Sequence, residues 1–273
     1  MKDKEMLMNC QQKKTGVSRR TFLKTLTGTA AGIGFSQVFN PAFVSALEKA
    51  LETHPVLWVQ GQGCTGCSVS LLNSVDPSIA DVLLKVISLQ FHPTVMASEG
   101  ETALENLYHI AEKYKGKFSL AVEGAIPMAA NGKYCVVGEL DHKEITMVDI
   151  VKDLGAKAGS VLSVGTCAAY GGIPAAKGNQ TEAVGVMDFF KLYGIKTPVV
   201  NIPGCPSHPD WIVGSIAHLL TKGIPELDDD GRPVIFFGEN IHDNCSHVEE
   251  YDEGIMSAGL SDAKGCRMDL GCK

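Results

Sequence analysis

Four cysteines share one local setting. Cys64 and Cys67 are separated by Thr65-Gly66 and follow the apolar run Val56-Leu57-Trp58-Val59. Cys167 follows Ser160-Val161-Leu162-Ser163-Val164-Gly165-Thr166, and Cys205 follows Val199-Val200-Asn201-Ile202-Pro203-Gly204. Each closes a stretch that reads as a buried strand, in a turn containing glycine, which lets backbone come close to a bulky ligand. In an open α/β sheet, ligands bind outside the carboxyl ends of the strands. If these strands run parallel, all four sulfurs emerge from one edge. Four thiolates there suit a cubane iron–sulfur cluster, and the same donor set is chemically open to a structural zinc ion.

A second set lies near the end of the chain: His242, Cys245, Cys266 and Cys272. One imidazole and three thiolates make a complete four-ligand set, for which zinc and iron–sulfur are equally suited on spacing alone. Disulfides are the alternative use of cysteine in an exported chain. The nine cysteines are odd in number, however, and a chain of 273 residues with 45% hydrophobic residues does not need staples. The strand-end positions therefore favour ligands. Cys10 lies near the N-terminus, apart from both sets, and Cys135 reads as a small core hydrophobe.

The elements that must position these residues alternate. After the Val56 strand come a strand over 86–91, a helix over 101–114 with Leu104, Leu107, Tyr108 and Ala111 at helical spacing, and a strand over 118–122 ending at Glu123-Gly124. A short excursion over 134–138 precedes a helix over 146–158 and the strand into Cys167. A helix over 183–193 closed by Gly194, the strand into Cys205 and a helix over 209–222 complete the pattern. Alternating β and α predicts a parallel sheet with right-handed crossovers. The expected fold is α/β, a flavodoxin-like doubly wound sheet over residues 47–225. Residues 226–273 follow as an irregular segment; beyond Phe237 it is short of large apolar side chains and needs another source of order.

Gly61-x-Gly63-x-x-Gly66 also satisfies a dinucleotide-binding pattern. That use requires an acidic residue near the end of the second strand, which ends on Gln90-Phe91-His92 instead. Charge excludes another class: beyond residue 46, 17 Lys and Arg face 29 Asp and Glu, a net −12, which argues against nucleic acid as a partner. The first 46 residues differ, with Ser18-Arg19-Arg20-Thr21-Phe22-Leu23-Lys24, an apolar run over 26–44 and the small-residue site Val44-Ser45-Ala46. This reads as a twin-arginine export signal, and residues 1–46 are set aside from the fold.

Gly63-Cys64-Thr65-Gly66-Cys67, Val122-Glu123-Gly124-Ala125-Ile126-Pro127, Gly165-Thr166-Cys167-Ala168 and Gly204-Cys205-Pro206-Ser207-His208-Pro209-Asp210-Trp211 occur in this order. Together they resemble the motifs of the small subunit of nickel–iron hydrogenases, and the resemblance runs from about residue 54 to the end. It implies a proximal 4Fe–4S cluster on Cys64, Cys67, Cys167 and Cys205, and a distal 4Fe–4S cluster on His242, Cys245, Cys266 and Cys272. Glu123 and His208 are expected as neighbours of the cluster or groups at the subunit interface. Helix N-termini after Cys67 and near Cys205 are expected to offer positive dipole ends to an anionic cluster. The family's relay also has a medial 3Fe–4S or 4Fe–4S cluster; its ligands are absent here, so the chain reads as C-terminally truncated relative to the family. Oxygen-tolerant members carry extra cysteines where Gly66 and Gly172 stand, so this chain resembles the standard, oxygen-sensitive type.

The function implied is relay of electrons from hydrogen oxidation at a separate nickel–iron large subunit to an outside acceptor. That acceptor is a cytochrome or membrane component, and the location is the periplasm or outer face of the membrane. No nucleophile or general base stands out, in keeping with chemistry carried by cofactors. The rival readings are a stand-alone ferredoxin-like carrier and a zinc-stapled binding module.

Overall fold

The computed structural model describes residues 54–75, 77–83, 87–259, 261–262 and 264–272. The twin-arginine signature and Cys10 lie outside the described residues, as does Val86, the expected start of the second strand. Along the chain, β1 spans Val56–Gln60, α1 Gly66–Leu72, β2 Leu89–Phe91, α2 Gly100–Lys113, β3 Ser119–Glu123 and β4 Ile126–Pro127. Then follow β5 Val136–Leu140, β6 Lys143–Thr146, α3 Met147–Lys157, β7 Ser160–Val164, α4 Thr166–Tyr170 and β8 Ala183–Val184. The remainder comprises α5 Val186–Tyr193, β9 Val199–Ile202, α6 Pro209–Lys222, α7 Val234–Phe237 and α8 Val248–Asp252.

Five of these strands form one sheet in the order β2-β1-β3-β7-β9, and each neighbouring pair is parallel. This is the flavodoxin-like order, in which the chain switches direction of winding between its first and third strands. Alternating side chains divide between two cores. Trp58, Ala121, Leu162, Val164, Val200 and Ile202 pack with α1 and with Ile212, Val213 and Ile216 of α6. Leu57, Val59, Leu120, Val122 and Val161 face the opposite way, against α2, α3 and α5. Burial on both faces explains why these strands read as continuous apolar runs. Each large aliphatic side chain so buried contributes about 1.5–3 kcal/mol.

Two expectations are corrected. Residues 134–138 are no brief excursion: β5 and β6 form an antiparallel hairpin, turned by Asp141 and His142 at φ 51° and 61°. Two adjacent left-handed residues make the mirror-image turn that suits strand twist. The helix expected from 183 begins only at Val186, because Ala183 and Val184 pair antiparallel with Pro127 and Ile126. The polar turn before α7 is tied to the sheet: Asn201 N–H donates to Gly231 O at 2.8 Å and Asn201 Nδ2 to Asp230 O at 2.8 Å. Beyond Phe237, only Ser257, Gly265 and Cys266 are buried among the described residues. No described helix is long and apolar enough to cross a membrane.

The N-terminus of α3 shows how local sequence fixes an element. Thr146 Oγ1 accepts the Asp149 N–H at 3.2 Å, while Asp149 Oδ2 accepts the Thr146 N–H at 3.0 Å. This reciprocal cap satisfies two amides that a helix start leaves open. Thr146→Ala is expected to lower the unfolding free energy by ~1 kcal/mol, measured by chemical denaturation.

Candidate metal centres

The first site stands at the switch between β1 and β3. Beyond the strands the two connections stay paired, with Gly61 N–H donating to Glu123 O at 2.6 Å and Gln62 and Ala125 exchanging bonds at 2.8 Å. The β7 and β9 connections are joined likewise: Thr166 N–H donates to Gly204 O at 2.9 Å, and Gly204 N–H to Thr166 Oγ1 at 3.1 Å. Cys64, Cys67, Cys167 and Cys205 line one cavity of about 180 Å³ between these turns, with Glu123 on its wall. The four thiols expected at one sheet edge thus face a single space. Cys64 and Cys205 are exposed; Cys67 and Cys167 are half-buried.

Among the described residues, no three Cys, His, Asp or Glu side chains gather closely enough to hold one metal ion. The four cysteines instead surround the cavity of about 180 Å³. A cavity of that size lined by four thiols has room for a polynuclear group. Glycine keeps the space open. At Gly165 (φ 86°) an added Cβ would collide with Cys67 Sγ, and at Gly172 (φ 53°) it would lie 2.7 Å from Cys167 Sγ.

Burial pushes the Cys67 thiol up to about 11; a hydrogen bond from the Ser207 backbone acts the other way, and the charges of Glu123, Cys167 and Cys64 push it further up. Burial also raises Cys167, again opposed by a backbone bond, from Ile173, and reinforced by Cys205, Cys64 and Glu123. Positive charge placed among these thiols would relieve that resistance, which makes metal uptake and thiol deprotonation one linked event.

The helix termini act differently from the expectation. Cys67 lies inside the first turn of α1 and Cys167 inside that of α4. The Cys67 and Ser68 N–H groups donate to Glu123 Oε1, both at 3.0 Å, and not to the cavity. His208 caps α6, its Nδ1 accepting the Asp210 N–H at 3.3 Å, and is exposed. Sequence reasoning missed what surrounds Glu123. Trp58, Gln60 and Ser68 all donate to it, and His92 behind them is 3% exposed and stacks on Trp58. The available signal was register: Gln60 pairs directly with Glu123 across β1 and β3.

The second set also comes together. His242, Cys245, Cys266 and Cys272 line a cavity of about 560 Å³ together with Tyr251 and Arg267. Tyr251 meets the His242 ring edge-on at 4.6 Å. Cys266 is held by a short pairing in which Cys266 N–H donates to Ile255 O and Ser257 N–H to Cys266 O, both at 2.8 Å. Here the scaffold is irregular chain and short helices.

Residues 64–219 match a family model described as "NADH ubiquinone oxidoreductase, 20 Kd subunit", and residues 237–273 match the model for the C-terminal part of the NiFe/NiFeSe hydrogenase small subunit. The periplasmic [NiFeSe] hydrogenase small subunit of Desulfomicrobium baculatum is 53% identical over 94% of this chain and 85% of its own length. This chain belongs to the hydrogenase small subunits. The periplasmic [NiFe] hydrogenase small subunit of Solidesulfovibrio fructosivorans is 39% identical over 94% of this chain and 80% of its own. The solved structure of the recombinant [NiFeSe] hydrogenase from Desulfovibrio vulgaris Hildenborough superposes with TM-score 0.76 and 61% identity, covering 80% of this chain and 82% of that one. As a hydrogenase small subunit, the chain is the electron-transfer subunit that partners a large subunit.

The crowding at Gly165 yields a direct test. Gly165 stands at φ 86° and ψ 161°, a region open in practice to glycine alone, so Gly165→Ala adds backbone strain of about 1–3 kcal/mol and drives its methyl onto Cys67 Sγ. Any metal bound at the first site should fall by at least half, as read by metal analysis after gel filtration.

Proposed function

We propose that this small subunit holds a proximal 4Fe–4S cluster on Cys64, Cys67, Cys167 and Cys205 and a distal 4Fe–4S cluster on His242, Cys245, Cys266 and Cys272. The observation that carries the reading is the meeting of four thiols from three separate strand-end turns around one cavity. Bound there, such clusters supply one-electron chemistry. The protein's own part is to orient the thiolates, offer backbone N–H groups of Ser207 and Ile173 to Cys67 and Cys167, and keep the relay fixed in place. In this reading residues 47–225 carry the proximal site, and residues 226–273 begin the C-terminal iron–sulfur unit.

The partner is the hydrogen-splitting large subunit. Val69, Leu72 and Val75 on and after α1, and Tyr170 and Ile173 beside Cys167, expose apolar side chains around the first site. That surface supports docking of the large subunit there. The greater identity to the small subunit of a [NiFeSe] hydrogenase, 53% against 39% and 38% for those of [NiFe] hydrogenases, favours a nickel–iron–selenium partner. The complex works in the periplasm, the location named for these relatives, after twin-arginine export. Electrons leave through the second site to a cytochrome or membrane acceptor. With glycine at positions 66 and 172, the enzyme is of the standard, oxygen-sensitive type.

The first experiment is iron, sulfide, zinc and selenium analysis of the anaerobically purified complex, with EPR of its reduced form. Iron and acid-labile sulfide in the small subunit, lost site by site in Cys67→Ser and Cys266→Ser, support the assignment. Zinc without sulfide would sink it. At the second site, His242→Cys replaces a neutral ligand with a thiolate and should lower that centre's midpoint potential, leaving the first centre unchanged in an EPR-monitored redox titration.

A further inference from the structure

Behind the Cys64–Cys67 turn lies a carboxylate to which electron relay assigns no part. Glu123 is 4% exposed at the carboxyl end of β3. Its Oε1 accepts the Cys67 and Ser68 backbone N–H groups. Its Oε2 accepts Trp58 Nε1–H at 3.0 Å, Gln60 Nε2–H at 3.2 Å and the Ser68 hydroxyl. These contacts are all donors to it, so the carboxyl acts as an acceptor on both oxygens, the role of the anion.

The groups behind it fix the same polarity. His92 Nδ1 accepts the Thr94 N–H at 3.1 Å, which assigns the ring hydrogen to Nε2. That Nε2–H then donates to Ser68 Oγ at 3.2 Å. Gln60 Nε2 donates to the same oxygen at 2.9 Å, so the hydroxyl's own hydrogen is directed to Glu123. Donors point one way, from His92 through Ser68 to the carboxylate.

We propose that Glu123 is a positioning residue of the first site that holds the Cys64–Cys67 turn and, as a buried anion one hydrogen bond from Cys67, lowers the reduction potential of the centre bound there. Two effects act in the same direction. Adding an electron beside a fixed negative charge in a low-dielectric setting is disfavoured. The Cys67 and Ser68 N–H groups, engaged by Glu123, are also withheld from cluster sulfur, where such bonds help set the potential. The inference rests on the reading that this site holds an iron–sulfur cluster.

The test is an EPR-monitored redox titration of the purified complex, with iron and sulfide counted in every sample. In Glu123→Gln the midpoint of the first centre should move positive while the second stays at its wild-type value. In Gln60→Leu, which keeps the carboxylate and its backbone bonds but removes the Gln60 donations to Glu123 and to Ser68 Oγ, the same midpoint should move negative. A loaded Glu123→Gln complex with an unchanged midpoint overturns the proposal. If that variant fails to retain its cluster, Gln60→Leu decides: a negative shift supports the role and an unchanged midpoint overturns it. Wild-type complex without iron and sulfide at this site fails the cluster reading itself, and the proposal falls with it.

Discussion

Register in the parallel sheet is the constraint on which the first site depends. Gln60, Glu123 and Val164 lie level across β1, β3 and β7, and Val164 lies level with Ile202 of β9. Four strands therefore end on one line, and the turns that carry the cysteines start from it. A slip of one residue in β3 would turn Glu123 onto the opposite face, away from α1 and from the amides it binds. The backbone bonds between the turns, Gly61 to Glu123 and Thr166 to Gly204, extend that alignment past the strands. The sulfurs are thus placed by strand pairing more than by any property of the loops themselves.

The two sites are built on opposed principles. The first borrows rigidity from a sheet packed on both faces, and its costs are local: left-handed glycines, a left-handed Thr65 at φ 59°, and thiols that burial makes harder to ionise. The second has little packed scaffold. Its residues are held by short pairings such as Cys266 with Ile255 and by the contact of Tyr251 with His242. A group bound at the second site would add more order than one bound at the first, because less is packed there.

What could be read from sequence follows from how far apart the determinants lie. Cys64 and Cys67 announce themselves because both ligands come from one turn, and the apolar runs before Cys167 and Cys205 reveal their strands. The strand order was legible from βα alternation, since right-handed crossovers leave few arrangements. The β5–β6 hairpin was not, because its turn uses Asp141 and His142 in place of the glycine that usually marks such a reversal. The two-residue strand β8 was hidden inside an apolar stretch that continues into α5. Glu123 was noticed, but its partners Trp58, Gln60, Ser68 and His92 are distant in sequence and meet only once β1 and β3 are set in register.

The sparse burial beyond Phe237 bears on where the molecule opens first. Chain with few buried side chains and short pairings is the part that opens first and that proteases enter. The described residues beyond Phe237 are in that condition, while the sheet is packed on both faces. The two sites therefore differ in how readily their surroundings open: the second sits in the segment that no sheet shelters, the first at the end of the packed sheet.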